Sequence, residues 1–169
     1  MKLGFEPKRR IAREFNNTRV RATIGGQECY FRSKLEYRWA LYLEFLRSAG
    51  TMVSWEYEPK IFYFEGEKTA PVQYKPDFKI VEFGQTIWQE CKGWHDGPTN
   101  TKLRRMAKHH PDAVMELVLQ RIPKKGIKGA NRRRVAAKYT RRIIDASVIF
   151  KQFQGVINFD VPIIQGVST

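Results

Sequence analysis

The sequence contains few of the residues that build disulfide frameworks or metal clusters. Among its 169 residues there are two cysteines, Cys29 and Cys91, and three histidines. Two cysteines cannot make a framework of several disulfides, and these side chains lack the ligand count of a structural zinc site. We therefore expect both thiols to be reduced and the protein to be cytoplasmic.

Long apolar runs and lipidation motifs are also absent from the sequence. No apolar stretch approaches the roughly 18 residues that a membrane-spanning helix needs. Residues 1–10 contain no apolar core of the kind found in signal peptides. A membrane partner is therefore not expected. Glycine-rich phosphate loops and a Ser-His-Asp order are missing as well, which removes two further enzyme classes.

Acidic residues are scarce relative to basic ones. The chain has 17 Asp and Glu residues against 31 Lys and Arg residues, and its formal net charge is +14. A positive excess of this size indicates a polyanionic partner, usually nucleic acid. We therefore expect the protein to bind DNA.

The positive charge is concentrated towards the two ends. Residues 1–21 hold seven basic residues and two acids, whereas residues 121–142 hold ten basic residues and no acid. We expect a basic N-terminal arm over 1–25 and a core over 26–122. Residues 123–169 are predicted to be a basic, helical extension of the same domain.

The apolar periodicity predicts an α/β protein in which helices flank a mixed β-sheet. Ser33 and Glu36 form a capping signature, and apolar residues then recur at helical spacing until Gly50. Strands are predicted at 52–57, 60–65, 72–83, 86–92 and 114–119, and further helices at 101–110 and about 132–154.

Three polar residues fall on one face of a predicted β-hairpin. If Gly84 and Gln85 form a two-residue turn, Asp77 lies opposite Lys92, and Glu90 shares their face because side chains alternate along a strand. The opposite face then carries the apolar side chains Phe78, Ile80, Ile87 and Cys91.

Two carboxylates beside a lysine are suited to metal-assisted cleavage of a phosphodiester. Asp77 and Glu90 can bind Mg²⁺, with the backbone carbonyl of Cys91 as a third ligand. Lys92 can position the attacking water or stabilise the negative charge of the transition state. The alternative is a surface ion pair between Asp77 and Lys92 on the wet face of the sheet.

Glu36 has two interpretations. As the third helical residue it can return a hydrogen bond to the backbone amide of Ser33 and complete a capping box. Alternatively, it is a further carboxylate that reaches the metal site from the helix. In the following loop, His95 and Asp96 are expected to be turn residues, with a second metal site or a general base as the alternative.

The combined motifs resemble those of a known nuclease superfamily. Phe-Arg-Ser-x-Leu-Glu at 31–36, Pro-Asp-Phe at 76–78 and Glu-x-Lys-Gly at 90–93 resemble the PD-(D/E)xK nucleases. Within them the chain looks most like the phage endonuclease I type of Holliday-junction resolvase, over about residues 31–120. The chain departs from the family where Trp94 follows Gly93 directly and in its basic segment after residue 121.

The resemblance implies a restriction-endonuclease-like core and a catalytic set. The implied catalytic residues are Glu36, Asp77, Glu90 and Lys92. The implied cofactor is Mg²⁺ or Mn²⁺, held by Glu36, Asp77, Glu90 and the carbonyl of Cys91. It also implies a homodimer that places two active sites on a four-way DNA junction, with residues 59–72 as the segment exchanged between subunits.

Several basic residues are predicted to contact the DNA backbone. They are Arg32, Lys102, Arg104, Arg105, Arg132, Arg133, Arg134, Arg141 and Arg142. The alternatives are support of the helix start for Arg32 and a solvated helix face for the residues from 102 to 105. Backbone contacts position a protein without conferring sequence specificity.

Two classes of function follow. The first is a metal-dependent, structure-selective endonuclease, either a Holliday-junction resolvase or a nicking endonuclease of repair or transposition. The second is a non-catalytic DNA-binding or architectural protein whose acids are structural.

Overall fold

The computed structural model describes residues 18–51, 54–122 and 130–160. The strands are β1 Val20–Ile24, β2 Gln27–Phe31, β3 Ser54–Tyr57, β4 Phe62–Tyr63, β5 Gln73–Tyr74, β6 Phe78–Glu82, β7 Gln85–Lys92, β8 Val114–Leu119 and β9 Arg142–Asp145. The helices are α1 Lys34–Ser48, α2 Gly97–His109, α3 Ala130–Ala136 and α4 Ala146–Gln152. None of these helices is long and apolar enough to cross a membrane.

A five-stranded mixed sheet organises the fold, in the order β3-β6-β7-β8-β9. The strands β3, β6 and β7 are antiparallel neighbours, whereas β7, β8 and β9 run parallel. Parallel neighbours need a crossover connection, and α2 supplies it between β7 and β8. Helices lie on both faces of the sheet, so the predicted α/β class with a mixed sheet is confirmed.

The helix α1 begins where the capping signature predicts. Ser33 is its N-cap, and the Ser33 hydroxyl accepts a hydrogen bond from the Glu36 amide at 3.2 Å. Leu35, Trp39 and Leu43 are buried at a spacing of four residues and pack on one face of the sheet.

The turn between β6 and β7 differs from the predicted one. Phe83 and Gly84 are its central residues, and both have positive φ values, 47° and 78°. Glu82 therefore faces Gln85. Tight hairpin turns of this type need positive φ at both central positions, and glycine adopts it without steric cost. The predicted turn over Gly84 and Gln85 was wrong by one residue.

This correction shifts the pairing by two residues and leaves the faces unchanged, because side chains alternate with a period of two. Phe78 pairs with Gln89 instead of Cys91. The residues Phe78, Ile80, Ile87 and Cys91 lie in one core cluster with α1, as predicted. On the other face, Trp88 packs with Leu103 and Met106 of α2.

The continuous helix predicted over about 132–154 was wrong. The segment forms α3, then β9 at the edge of the sheet, then α4. Ile143 and Ile144 of β9 contribute to the two different core clusters, one on each face of the sheet. The apolar residues of α3, β9 and α4 follow one another at helix-like spacings, so the sequence pattern of the whole segment resembled that of one helix.

The hairpin formed by β1 and β2 was not predicted. It begins within the expected basic arm, and residues 1–17 of that arm lie outside the described residues. Gly25 and Gly26 turn the chain with φ values of 57° and 80°. Val20 and Phe31 are fully buried in the cluster that includes α1.

Candidate functional site

A cleft of about 550 Å³ opens where β7 ends and α1 begins. Its lining includes Glu36 from α1, Asp77 from the residue before β6, and Glu90 and Lys92 from β7. The structure therefore brings together the four side chains that the sequence singled out, although they come from three separate parts of the chain.

Asp77 lies in the least favourable electrostatic position of the four. It is 4% exposed, and its Oδ2 accepts a hydrogen bond from the Cys91 amide at 2.7 Å. The guanidinium of Arg32 lies 3.6 Å from its Oδ1. Burial, followed by the negative charges of Glu90 and Glu36, raises the pKa of Asp77 well above its usual value. A cation that enters the cleft would therefore be stabilised beside Asp77.

Glu90 is buried but has partners for both oxygens. Its Oε1 lies 2.8 Å from the ammonium of Lys92 and 3.6 Å from that of Lys102. Its Oε2 accepts a hydrogen bond from the hydroxyl of Tyr74 at 2.8 Å. A buried carboxylate is tolerated when it is paired in this way.

Lys92 is the last residue of β7 and carries a positive charge. Burial lowers its pKa, but the neighbouring Glu90 and Asp77 outweigh this effect, and the net pKa is raised. The side chain is 28% exposed, so its ammonium can meet an anion that enters the cleft. Lys92 is therefore suited to stabilise negative charge and unsuited to act as a base.

Glu36 caps α1 and lines the cleft at the same time. Its Oε2 accepts hydrogen bonds from the Arg32 amide at 2.9 Å and the Tyr57 hydroxyl at 2.6 Å. Its Oε1 accepts one from the Ser33 hydroxyl at 2.8 Å. The predicted return bond to the Ser33 amide was wrong, because the Arg32 amide occupies that place. Glu36 therefore supports the start of α1, and its role as a metal ligand stays a prediction.

Sequence reasoning missed two tyrosines that hold these acids. Tyr57 on β3 donates to Glu36, and Tyr74 on β5 donates to Glu90. Burial is the main cause that raises the pKa of each hydroxyl, and the adjacent glutamate is the second, so both remain protonated donors. Tyr74 stands three residues before Asp77 and gave a weak local signal, whereas Tyr57 gave none.

The arrangement of ligands is sparser than the resemblance implies. Within residues 18–51, 54–122 and 130–160, no three His, Cys, Asp or Glu side chains form a group that could hold a metal ion. Glu36 and Glu90 are both engaged by hydrogen bonds or ion pairs, and one oxygen of Asp77 accepts a hydrogen bond. Mg²⁺ prefers carboxylate oxygens and needs only one or two of them beside water and phosphate oxygens, so these acids are ligands of the right type. Metal binding by Glu36, Asp77, Glu90 and the Cys91 carbonyl stays a prediction.

Basic side chains form the rim of the cleft. Arg32 and Lys75 line the cleft. Both also pair with Glu58, which is not part of the lining. Glu58 has a positive φ of 46°, which is uncommon for a residue with a side chain. Lys102 lines the cleft from α2, with its ammonium 5.1 Å from the centre of the Tyr74 ring. Arg32 and Lys102 therefore lie where an anion that enters the cleft would meet them, and their contact with DNA stays a prediction.

Arg105 is not placed for DNA contact, which corrects its prediction. It is 6% exposed, and its guanidinium donates to the Thr69 carbonyl at 2.8 Å and to the Pro71 carbonyl. It also lies 3.2 Å from Glu67. Its donors hold the loop after β4 against α2, whereas the neighbouring Arg104 is exposed.

Arg141 and Arg142 are not among the residues that line the cleft, and their contact with DNA stays a prediction. Both pair with the fully buried Glu116, at 2.6 and 2.7 Å, and Arg141 also pairs with Glu82 beside the β6–β7 turn. That turn and Lys92 are separated by the length of β7, roughly 20 Å.

The arginines of α3 lie beside the first turn of α2. Arg132 is exposed, and its guanidinium donates to the His95 carbonyl at 3.4 Å. The Asn100 side chain donates to the Arg132 carbonyl at 3.1 Å. Arg134 is exposed and Arg133 is half-buried. DNA contact by these three residues stays a prediction.

His95 and Asp96 shape the loop between β7 and α2. Asp96 is the N-cap of α2, and its Oδ1 accepts a hydrogen bond from the Thr99 amide at 2.9 Å. His95 is 7% exposed, and its Nε2 lies 2.8 Å from Oδ1 of Asn100. Burial is the main cause that lowers the pKa of His95. The expected turn roles therefore describe both residues.

The fold and the site define a mixed α/β protein with an acidic cleft beneath a basic rim. In comparisons with known proteins, no family model, no curated protein and no solved structure matches the chain. The function is therefore inferred from the cleft itself.

Proposed function

We propose that the protein is a metal-dependent, structure-selective DNA endonuclease that hydrolyses phosphodiesters. The supporting observation is that Glu36, Asp77, Glu90 and Lys92 line one cleft in a chain of net charge +14. A restriction-endonuclease-like core of the PD-(D/E)xK type is part of the proposal. Branched DNA, above all the Holliday junction, is the proposed substrate.

The roles follow from the chemistry of each side chain. Asp77 and Glu90 hold the divalent ion, Mg²⁺ or Mn²⁺. Such an ion, when bound, lowers the pKa of a coordinated water and neutralises charge on the phosphate. Lys92 stabilises the negative charge of the transition state, because its raised pKa keeps it protonated.

Glu36 and the two tyrosines keep these groups in place. Glu36 is fixed by donors from Ser33, Arg32 and Tyr57, so its carboxylate adds negative charge at the start of α1. Tyr74 holds one oxygen of Glu90 while Lys92 lies at the other. Residues that orient the reacting groups in advance contribute by positioning.

The rim supplies contacts to the DNA backbone. Arg32, Lys75 and Lys102 line the cleft, and phosphate contacts by such residues are independent of sequence. Binding of this kind fits an enzyme that distinguishes the shape of DNA.

We also propose a homodimer in the cytoplasm, since two copies of the cleft would meet two strands of a four-way junction.

Two alternatives use the same surface. A nicking endonuclease of repair or transposition would employ the same cleft on another DNA. A non-catalytic DNA-binding protein is favoured by one observation: among the described residues no three-ligand metal group is preassembled. These alternatives differ from the proposal in their response to metal and to branching.

The decisive experiment offers the protein three labelled DNAs: a four-way junction, a linear duplex and a single strand. Each is incubated with Mg²⁺, Mn²⁺ or EDTA, and cleavage and binding are measured together. We expect metal-dependent cleavage of the junction. Binding without cleavage in any metal, by a folded sample, would identify the non-catalytic alternative.

A matched pair of lysine variants tests the site. Lys92→Ala should remove cleavage and leave junction binding nearly intact. Lys79→Ala is the control, because Lys79 lies on the adjacent strand and pairs with Glu56 instead of a cleft acid. Equal losses of cleavage in both variants would contradict the assignment of Lys92.

A further inference from the structure

One tryptophan of the chain is exposed beside the cleft. Trp94 is 53% exposed, whereas Trp39 and Trp55 are each 1% exposed and Trp88 is 8% exposed. Among the described residues no hydrogen bond or ring contact holds the Trp94 indole. A large aromatic surface left in water at such a place is a candidate binding surface.

Its position follows from the end of β7. Lys92 and Gly93 both line the cleft, and Trp94 is the next residue. Two peptide units separate the Cα atoms of Lys92 and Trp94, so these atoms lie at most about 7.6 Å apart. The indole is therefore within reach of a nucleotide that neighbours a phosphate bound in the cleft.

The charges around Trp94 suit a nucleic acid. Lys102 lines the cleft, and Arg132 reaches the carbonyl of His95, the residue after Trp94. Both cations are at least partly exposed. Exposed aromatic side chains that occur together with cations hold single strands by stacking on the bases while the backbone is held by charge.

From these observations we infer that Trp94 stacks on an unpaired base next to the phosphate bound in the cleft. This inference rests on the proposed function and names a feature of its substrate. In a continuous duplex both faces of a base are covered by its neighbours, so a flat side chain gains little contact. At a gap, a branch or a single-stranded end a base face is free. Trp94 would therefore favour DNA that contains unpaired bases.

The binding experiment uses the full chain with EDTA, so that cleavage does not interfere. The probes are a gapped duplex and a continuous duplex of the same sequence, each with a dye for anisotropy. We expect Trp94→Ala to bind the gapped DNA about 5- to 150-fold more weakly, and the continuous duplex as tightly as the unchanged protein. Trp94→Phe should retain most of the affinity for the gapped DNA, because phenylalanine also stacks.

Phe83→Ala is the matched control. Phe83 is 91% exposed but lies at the β6–β7 turn, at the opposite end of β7 from Trp94. Phe83→Ala should change neither the affinity for the gapped DNA nor the affinity for the continuous duplex. If Trp94→Ala binds both DNAs as the unchanged protein does, or loses the same factor for both, the inference is overturned.

Tryptophan emission provides a second readout that does not depend on cleavage. Because the other three tryptophans are buried, a soluble quencher such as acrylamide acts mainly on Trp94. The gapped DNA should quench this emission and protect it from acrylamide, whereas Trp94→Phe should show little response. Binding of gapped DNA that leaves the emission unchanged would overturn the inference.

The outcomes separate the two proposals. Gap-selective quenching without metal-dependent cleavage of any DNA supports stacking and overturns the nuclease function. If cleavage depends on metal but Trp94→Ala changes the affinities for gapped and continuous DNA equally or not at all, only the stacking inference is overturned. A failure to bind either DNA overturns both.

Discussion

Two buried glutamates lie at neighbouring positions of β7 and β8 and on opposite faces of the sheet, but their charges are neutralised differently. Glu116 of β8, which pairs in register with Gln89 of β7, is fully buried and pairs with Arg141 and Arg142. Glu90 of β7 is 2% exposed, and its Oε1 lies 2.8 Å from the ammonium of Lys92 and 3.6 Å from that of Lys102. Glu116 therefore has two cations at close range, whereas Glu90 has one close cation and a second farther away.

Additional acids make the difference larger. Asp77 and Glu36 line the same cleft as Glu90, and both are buried. The nearest cation to Asp77 is Arg32 at 3.6 Å, and Arg32 also pairs with Glu58. Removing the cations from a buried, paired acid is costly, whereas a group of acids with too few cations favours an incoming cation. This contrast supports the proposal that the cleft carries the function.

The largest expected effect is on cleavage, from an acid at the cleft. Asp77→Asn removes a metal ligand while preserving shape, so we expect cleavage to fall by at least about 10²- to 10³-fold with binding nearly unchanged. Glu82→Gln, at the opposite end of the sheet, is the control and should cleave normally. Cleavage rates and binding affinities, measured on the same four-way junction, test both expectations. Loss of binding in Asp77→Asn would show that the site is wrongly assigned.

The second expected effect is on stability, at the buried Glu116 of β8. Replacing both Arg141 and Arg142 by methionine leaves Glu116 buried without a cation, which should destabilise the protein by about 3 kcal/mol. Urea unfolding at neutral pH measures this loss. DNA affinity should fall little, since neither arginine lines the cleft. If the variant instead loses much of its affinity for DNA of any sequence, Arg141 and Arg142 contact the DNA backbone.

The smallest expected effect is a dependence of stability on pH. The pKa of Asp77 is raised in the folded state, so between its unfolded and folded pKa values the folded protein holds a proton that the unfolded chain has released. Stability therefore decreases as pH rises through this window and levels off above the folded pKa. Asp77→Asn should lack this contribution, so its stability relative to the unchanged protein should increase with pH.

A divalent ion sharpens that test. Above the folded pKa of Asp77, Mg²⁺ should stabilise the unchanged protein and have a smaller effect on Asp77→Asn, because a ligand that binds only the folded state raises its stability. Thermal unfolding with and without Mg²⁺ measures the difference. Equal stabilisation of both proteins would place the ion elsewhere.

Local patterns in the sequence predicted much of the fold. Ser33 and the apolar spacing after it located α1, and the apolar run over 114–119 coincides with β8. The clustering of Asp77, Glu90 and Lys92 survived an error in the turn, because a shift of two residues keeps every side chain on its face.

Other features could not be predicted from local patterns. The segment over 132–154 has helix-like spacing, but pairing with β8 makes part of it a strand. Arg105 reads as one more exposed cation of a basic helix, yet the loop after β4 buries it. In both cases contacts between distant parts of the chain outweighed the local preference.

The sequence by itself therefore determined the class of fold, the positive charge and which polar side chains share a face, since these depend on composition and on short-range periodicity. Only the tertiary structure decided which charges are neutralised. Glu116 meets Arg141 and Arg142 because β8 and β9 are neighbours, whereas Asp77 meets Glu90 and Glu36 where β6, β7 and α1 converge. Electrostatic energy depends on the distance between charges in space, and the spacing of residues along the chain does not give that distance.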